Sequence, residues 1–216
     1  MTARDDILHR LCQQKREIEQ PGAWSSRQRF VDLAGQFMAA LTAVHGEPHL
    51  TPTLEDAASK LGQILTDLNA ARVVINDEAP LADLHLPERW PHIAWHTVGQ
   101  SEGDLRDFCI HADVGLSSSA AAIAATGSVL IHSGPGQSRV ATLFPPVHIV
   151  LLPTSRLTAD LFTFTASRNG SPPTAGRPPA AMTLISGPSK TADIEQTMAI
   201  GVHGPKRFIV ILYGAT

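Results

Sequence analysis

The run HIVLLP, residues 148–153, is apolar at every position after its histidine, and FIVILY, residues 208–213, has the same texture. Unbroken apolar runs of this length characterise strands covered on both faces, whereas a half-exposed strand alternates. RVVI (72–75), HIAW (92–95), FCIHADVGL (108–116), SVLIH (128–132) and MTLIS (182–186) add shorter runs at fairly regular intervals. Helix-like segments lie between many of them: LRDF near 105, SSAAAIAAT from 118, SRLTADLFTF from 155 and TADIEQTMAI from 191. Strand and helix in alternation predict an α/β domain built on a mostly parallel sheet.

Before residue 70 the texture is helical. Ile7, Leu8, Leu11 and Ile18 share one helical face; Phe30, Val31, Leu33, Ala34, Phe37, Met38 and Leu41 share another, with Pro21-Gly22 between the two. A third helix is predicted after Pro52, capped by Thr53, with Glu55 and Asp56 in its first turn and Leu61, Ile64 and Leu68 along its face. The expected organisation is a helical N-terminal extension over residues 1–50 followed by an α/β domain over 51–216. RNGSPPTAGRPP (168–179) is too rich in Pro and Gly for either element and reads as a surface loop, its Asn169-Gly170 as a turn.

Composition narrows the function classes. With 43 % hydrophobic and 17 % charged residues in 216, the chain has the balance of a folded protein and none of the signature of disorder. A formal net charge of -3 without a long basic run argues against nucleic acid and anionic lipid as partners. Cys12 and Cys109 form no CxxC pair, so neither a disulfide framework nor a metal cluster follows from them. No apolar run reaches the length of a membrane span, and the N-terminus lacks a signal-peptide core; a cytoplasmic location is expected.

Chemistry concentrates in a short internal echo. SVLIHSGPGQSR (128–139) and MTLISGPSK (182–190) each run from an apolar strand into Ser-Gly-Pro and then a basic residue. Ligands of open parallel sheets bind beyond the carboxyl ends of the strands, and both loops are expected there, as walls of one cleft. Glycines allow close backbone approach, hydroxyls and amides accept an anion, and a basic side chain adds charge. The expected ligand-binding residues are Ser133, Gly134, Gly136, Arg139, Ser186, Gly187, Ser189, Lys190, Thr191 and His203. Ordinary turn chemistry explains the same Gly and Pro residues equally well.

Other motifs are missing or weak. GxGxxG after a strand, GxxxxGK[ST] and GxSxG are absent, and Ser117, Ser118 and Ser119 read as a helix cap. The pairs His45/His49 and His92/His96 have helical ligand spacing but do not lie in credible helices, so no metal site is expected. His132, His148 and His203 stand near strand ends or Gly-Pro corners. Asp113, Asp160, Asp193 and Glu195 are the acids nearest the two loops in sequence, the last two placed to favour a helix start.

GLSSSAAAIAATGSVLIHSGPGQSR, PPVHIVLLP, ISGPSKTADIE and GVHGP occur in unbroken order between residues 108 and 213 and together resemble the LUD-domain family typified by lactate utilization protein C. The resemblance implies a three-layer α/β/α domain similar to the sugar-phosphate isomerase and CoA-transferase fold. It implies a bacterial role in oxidising L-lactate to pyruvate alongside two iron–sulfur partner proteins; the composition shows no redox cofactor site and only two isolated cysteines, so no cofactor is expected on this chain. The alternative is an enzyme of that fold acting on a phosphorylated or CoA-linked small acid. One departure matters. The family commonly reads like GITxADxAIAETG, and this chain has Ala120 and Ala125 where Asp and Glu stand, so any carboxylate chemistry must come from elsewhere.

Overall fold

The structure, a computed structural model, describes residues 3–13, 28–168, 179–192 and 198–214. Ile18, the Pro21-Gly22 break, the Asn169-Gly170 turn with most of its loop, Asp193 and Glu195 lie outside the described residues. The first part of the chain comprises α1 (Ala3–Gln13), α2 (Leu33–Ala43), β1 (Glu47–Thr51), α3 (Leu54–Asp67), β2 (Arg72–Ile75), α4 (Leu86–Arg89) and β3 (Ala94–Thr97). There follow α5 (Leu105–Ile110), β4 (Val114–Ser118), β5 (Ala121–Ile123), β6 (Ser128–Ser133), α6 (Arg139–Leu143) and β7 (Val147–Pro153). The remainder is β8 (Leu157–Thr158), α7 (Leu161–Arg168), β9 (Ala181–Ile185), β10 (Lys190–Ala192), β11 (Met198–Ile200) and β12 (Arg207–Tyr213), with a 3-10 turn at Thr154–Arg156.

Six strands form one sheet in the order β1-β12-β7-β4-β2-β3, every pair parallel. The unbroken runs sit in its middle: β7 and β12 pair from Arg207↔Val147 to Tyr213↔Pro153. Their alternate side chains feed two cores. Ile149, Leu151, Ile209 and Ile211 pack under α3 with Leu61 and Leu65. Val150, Leu152, Phe208, Val210 and Leu212 pack against α2 and the strands of a second sheet. Burying an aliphatic side chain of this size contributes roughly 1.5–3 kcal/mol, which is why both faces had to be apolar. The result is an α/β fold with a mostly parallel sheet between two covering layers.

Thr53 caps α3 as expected, its hydroxyl accepting the Asp56 N–H at 3.1 Å. Within residues 1–50 the described helices are α1 and α2, and β1, which starts at Glu47, is the edge strand beside β12. The FCIHADVGL run divides, Phe108, Cys109 and Ile110 ending α5 and Val114 onward forming β4.

Two expected helices are strands. SSAAAIAAT contains the end of β4 and all of β5, and Ala121, Ala122, Ile123 and Ala124 are buried. Small side chains let this segment pass close between α2 and the main sheet, and that packing overrides the helix preference of alanine. TADIEQTMAI likewise begins in β10 and ends in β11, an antiparallel pair with Thr191↔Ala199, so the described ends of this segment provide no helix start. A second sheet, in the order β8-β5-β6-β9, carries the SVLIHS and MTLI strands as antiparallel neighbours outside the parallel sheet.

Candidate functional site

The β2–β3 connection leads outward to one edge, and the β3–α5–β4 connection returns to the other side of β2. The crossovers therefore diverge between β2 and β4, the position at which open α/β sheets hold ligands. Asn76, Asp77 and Glu78 leave β2 there, and Ser118 ends β4 beside them with Ser119 following.

Glu78 is the centre of this edge. Its carboxylate accepts the Ser118 N–H at 2.8 Å and the Gln137 amide at 3.0 Å. Arg156, in the turn after β7, donates to the Ser118 hydroxyl at 3.2 Å and to the Ser119 carbonyl. Burial pushes the Glu78 carboxyl above the usual carboxylate range, against the opposing pull of the Ser118 N–H, the Asn76 amide, the Arg156 charge and Gln137. Burial likewise raises the Tyr213 phenol at the end of β12, while Arg156 opposes it, so Arg156 acts on both groups.

The first Ser-Gly-Pro loop is clasped onto this edge. Gly136 accepts the Asp77 N–H at 2.8 Å, and Ser138 donates its N–H to Asn76 Oδ1 at 3.0 Å. Gly136 has φ +72°, and a Cβ there would stand 3.0 Å from the Asp77 carbonyl oxygen, so the close approach requires glycine. Ser133 ends β6 with a buried hydroxyl that has no partner among the described residues, Gly134 bridges Gln137, and Arg139 is exposed at the start of α6. A cavity of about 190 Å³ opens beside the clasp, lined in part by Asn76, Asp77, His85, Thr97 and Gln100. Asn76 is fully buried; its Nδ2 makes no hydrogen bond of good geometry and acts on Glu78 at longer range.

The second loop is at the other end of the sheet. β6 and β9 are antiparallel, with Ser133↔Ala181 and Val129↔Ile185, so the loop after β9 emerges where β6 begins. Ser186 shares a 2.6 Å hydroxyl contact with Ser128, and Gly187, at φ +96°, presses on Val44 at the end of α2. Lys190 Nζ donates to the Val44 carbonyl at 2.7 Å and lies 2.8 Å from His45 Nδ1, the position of a helix C-cap. Ser189 exchanges backbone bonds with Pro205 and Gly201, Thr191 pairs in β10, and His203 is exposed nearby. These residues gather at the amino end of β12. The structure thus brings Ser133, Gly134, Gly136 and Arg139 together, and separately Ser186, Gly187, Ser189, Lys190, Thr191 and His203, but it does not join the two groups.

The remaining expectations resolve locally. Ser117 is in β4 rather than at a helix cap, and its hydroxyl lies 2.8 Å from His148 Nε2; both are buried, and burial holds the His148 pKa down to about 3. Asp113 accepts the N–H groups of Ala71 and Arg72 at the amino end of β2, away from the switch point. Asp160 accepts the Thr163 N–H and starts α7. Ala125 donates its N–H to the Ala159 carbonyl, with no carboxylate at that place. Burial raises the Cys109 thiol to about 11, and Cys12 is exposed on α1. Among the described residues no three His, Cys, Asp or Glu side chains are grouped to hold a metal ion, and no helix is long and apolar enough to cross a membrane.

Glu78 and Arg156 were not among the residues singled out in the sequence. The available signal was INDE directly after the RVVI strand, a cluster of acids and amides at the carboxyl end of a buried strand.

A family model described as the LUD domain matches residues 34–213. Lactate utilization protein C of an Exiguobacterium species is 32 % identical over 187 residues, spanning 84 % of this chain and 77 % of that protein. An uncharacterized protein of Neisseria meningitidis serogroup B is 37 % identical over 105 residues, but the match spans only 49 % of this chain and 44 % of that protein. The crystal structure of a DUF162 family protein from Deinococcus radiodurans has the same fold, with a TM-score of 0.54 at 19 % identity over 84 % of this chain and 96 % of that one.

Proposed function

Because the chain belongs to the LUD-domain family across residues 34–213, we propose that it is a component of an L-lactate utilization system. In this reading it is a cytoplasmic accessory subunit that holds a small anionic ligand and works with iron–sulfur partner proteins. The observation that carries the role is the 32 % identity to lactate utilization protein C along 84 % of the chain. The ligand-holding part is supported by the carboxyl edge of the sheet, where Arg156, Glu78 and the Ser133–Ser138 loop converge. Ser133, Gly134, Gly136 and Arg139 belong to this face, whereas the Ser186–Thr191 loop with His203 serves α2 and the start of β12. The clusters belong to the partners, since the two cysteines here are far apart in sequence, one exposed and one buried. Deleting the gene in its own host should abolish growth on L-lactate and disturb assembly of the iron–sulfur partners; unchanged growth and assembly would defeat the proposal.

A second reading has its own support. Glu78 is a partly buried carboxyl at the switch point, although Ala125 has no carboxylate to offer. An enzyme acting on a phosphorylated or CoA-linked small acid would use it as acid or base. A thermal-shift panel of sugar phosphates, nucleotides and acyl-CoAs tests this reading, because a ligand at 100 times its Kd adds about 2.7 kcal/mol. A flat panel counts against it.

A further inference from the structure

We infer that Arg156 and Glu78 form the binding site of a small 2-hydroxy or 2-oxo carboxylate, Arg156 taking the carboxylate and Glu78 the neighbouring oxygen, with buried Ser118 holding both side chains in place. This rests on the lactate-utilization reading for the choice of acid, but its geometry stands apart from that reading. Arg156 spends Nη1 on Ser118 and Ser119 and leaves the rest of its guanidinium without an acceptor among the described residues. A planar fork with unused donors is matched to a carboxylate. The two hydrogen bonds accepted by Glu78 leave lone pairs unused on a carboxylate that is only partly buried. Asn76 contributes a fully buried amide whose Nδ2 has no hydrogen-bond partner of good geometry. The site stands at the β2/β4 switch point, so backbone and charge converge on one place.

The charges fix a consequence. Arg156 and an ionised Glu78 already balance, so an arriving carboxylate adds an uncompensated negative charge unless Glu78 takes up a proton from solvent. A protonated Glu78 becomes a donor to the ligand oxygen, one proton being taken up for each acid bound. Asp77, which accepts the Gln100 amide at 2.7 Å, is a further carboxylate at this edge and supplies no positive charge to balance the ligand; Tyr213 is neutral at ordinary pH, its pKa raised further. Affinity therefore rises as pH falls through the Glu78 range.

Titration calorimetry with L-lactate, pyruvate, acetate and inorganic phosphate, in buffers on either side of that range, tests the proposal. Pyruvate or L-lactate should bind more tightly than acetate or phosphate, and more tightly at the lower pH. Arg156→Gln should weaken binding about tenfold or more, with Arg156→Lys between it and wild type. Glu78→Gln should keep the affinity and lose its pH dependence. Absence of acid binding to folded wild-type protein, tighter binding of phosphate, or a Glu78→Gln variant with the wild-type pH slope would each overturn it. The wild-type pH dependence decides the matter even if an arginine variant fails to fold. Acid binding without a growth defect on deletion would refute the functional reading alone; a growth defect without acid binding would refute the site alone.

Discussion

Replacing Glu78 separates its two structural effects. In Glu78→Ala the Ser118 N–H loses the acceptor now 2.8 Å away, and Ser118 is 1 % exposed, so the donor is stranded out of reach of water. A buried donor left without a partner costs about 1–3 kcal/mol. The Gln137 amide, at the less buried side, loses its 3.0 Å contact at smaller cost. A total near 2 kcal/mol lowers Tm by about 4–8 °C in a chain of this size. Glu78→Gln keeps a carbonyl oxygen for Ser118 and is expected within about 1 kcal/mol of wild type. The two variants also differ in pH dependence. Glu78 has its pKa raised in the folded chain, so the stability it contributes is fully present below the unfolded carboxylate value and is lost as pH rises through the folded value. Glutamine carries no such slope, so its Tm gains on wild type as pH rises across that window. Thermal melts followed by circular dichroism over a pH series measure both effects. Equal Tm values for the Ala and Gln variants, or a Gln-to-wild-type difference constant with pH, would refute the reasoning.

Further predictions concern the packing and the second loop. Gly127→Ala should abolish folded expression, because its φ of +62° is compounded by a Cβ 2.3 Å from the Leu41 nitrogen; a soluble variant with wild-type melting would count against the close approach of the β5–β6 turn to α2. His148, held neutral by burial with a pKa of about 3, contributes stability that is fully present above about pH 6.5 and is lost as pH falls from there toward about 3. His148→Gln should therefore flatten the acid side of a urea-denaturation series. Lys190→Met should cost about 0.5–1.5 kcal/mol through the lost Val44 cap and leave pyruvate binding unchanged; weakened binding would return this loop to the ligand site. Removing residues 1–13 should shift Tm by no more than a few degrees, since α1 buries no side chain; a collapse in Tm would count against that peripheral place of α1.

What was legible in the sequence followed from periodicity. HIVLLP and FIVILY announced their place because a strand covered on both faces has no polar side to show, and Thr53 marked the start of α3 by its capping chemistry. The β5 segment was hidden because alanines carry a helix preference that only tertiary crowding reverses. The two Ser-Gly-Pro loops look alike locally, yet β6 and β9 run in opposite directions, and direction is not written in a loop. Glu78 was missed for a related reason: its importance arises from β2 lying beside β4, and strand order is a property of the assembled sheet.

The order of the main sheet also bears on how the chain is made. Among the described residues β1 is the first strand and β12 the last, yet β1 has its ladder with β12 alone, and β12 separates it from β7. While the ribosome is still producing the middle of the chain, β1 has no partner, and the edge of β7 that will receive β12 stands open. Closure of the sheet is therefore expected after residues 207–213 emerge, and until then two unpaired strand edges, the one on β7 strongly apolar, depend on chaperones or on speed to avoid pairing with a stranger.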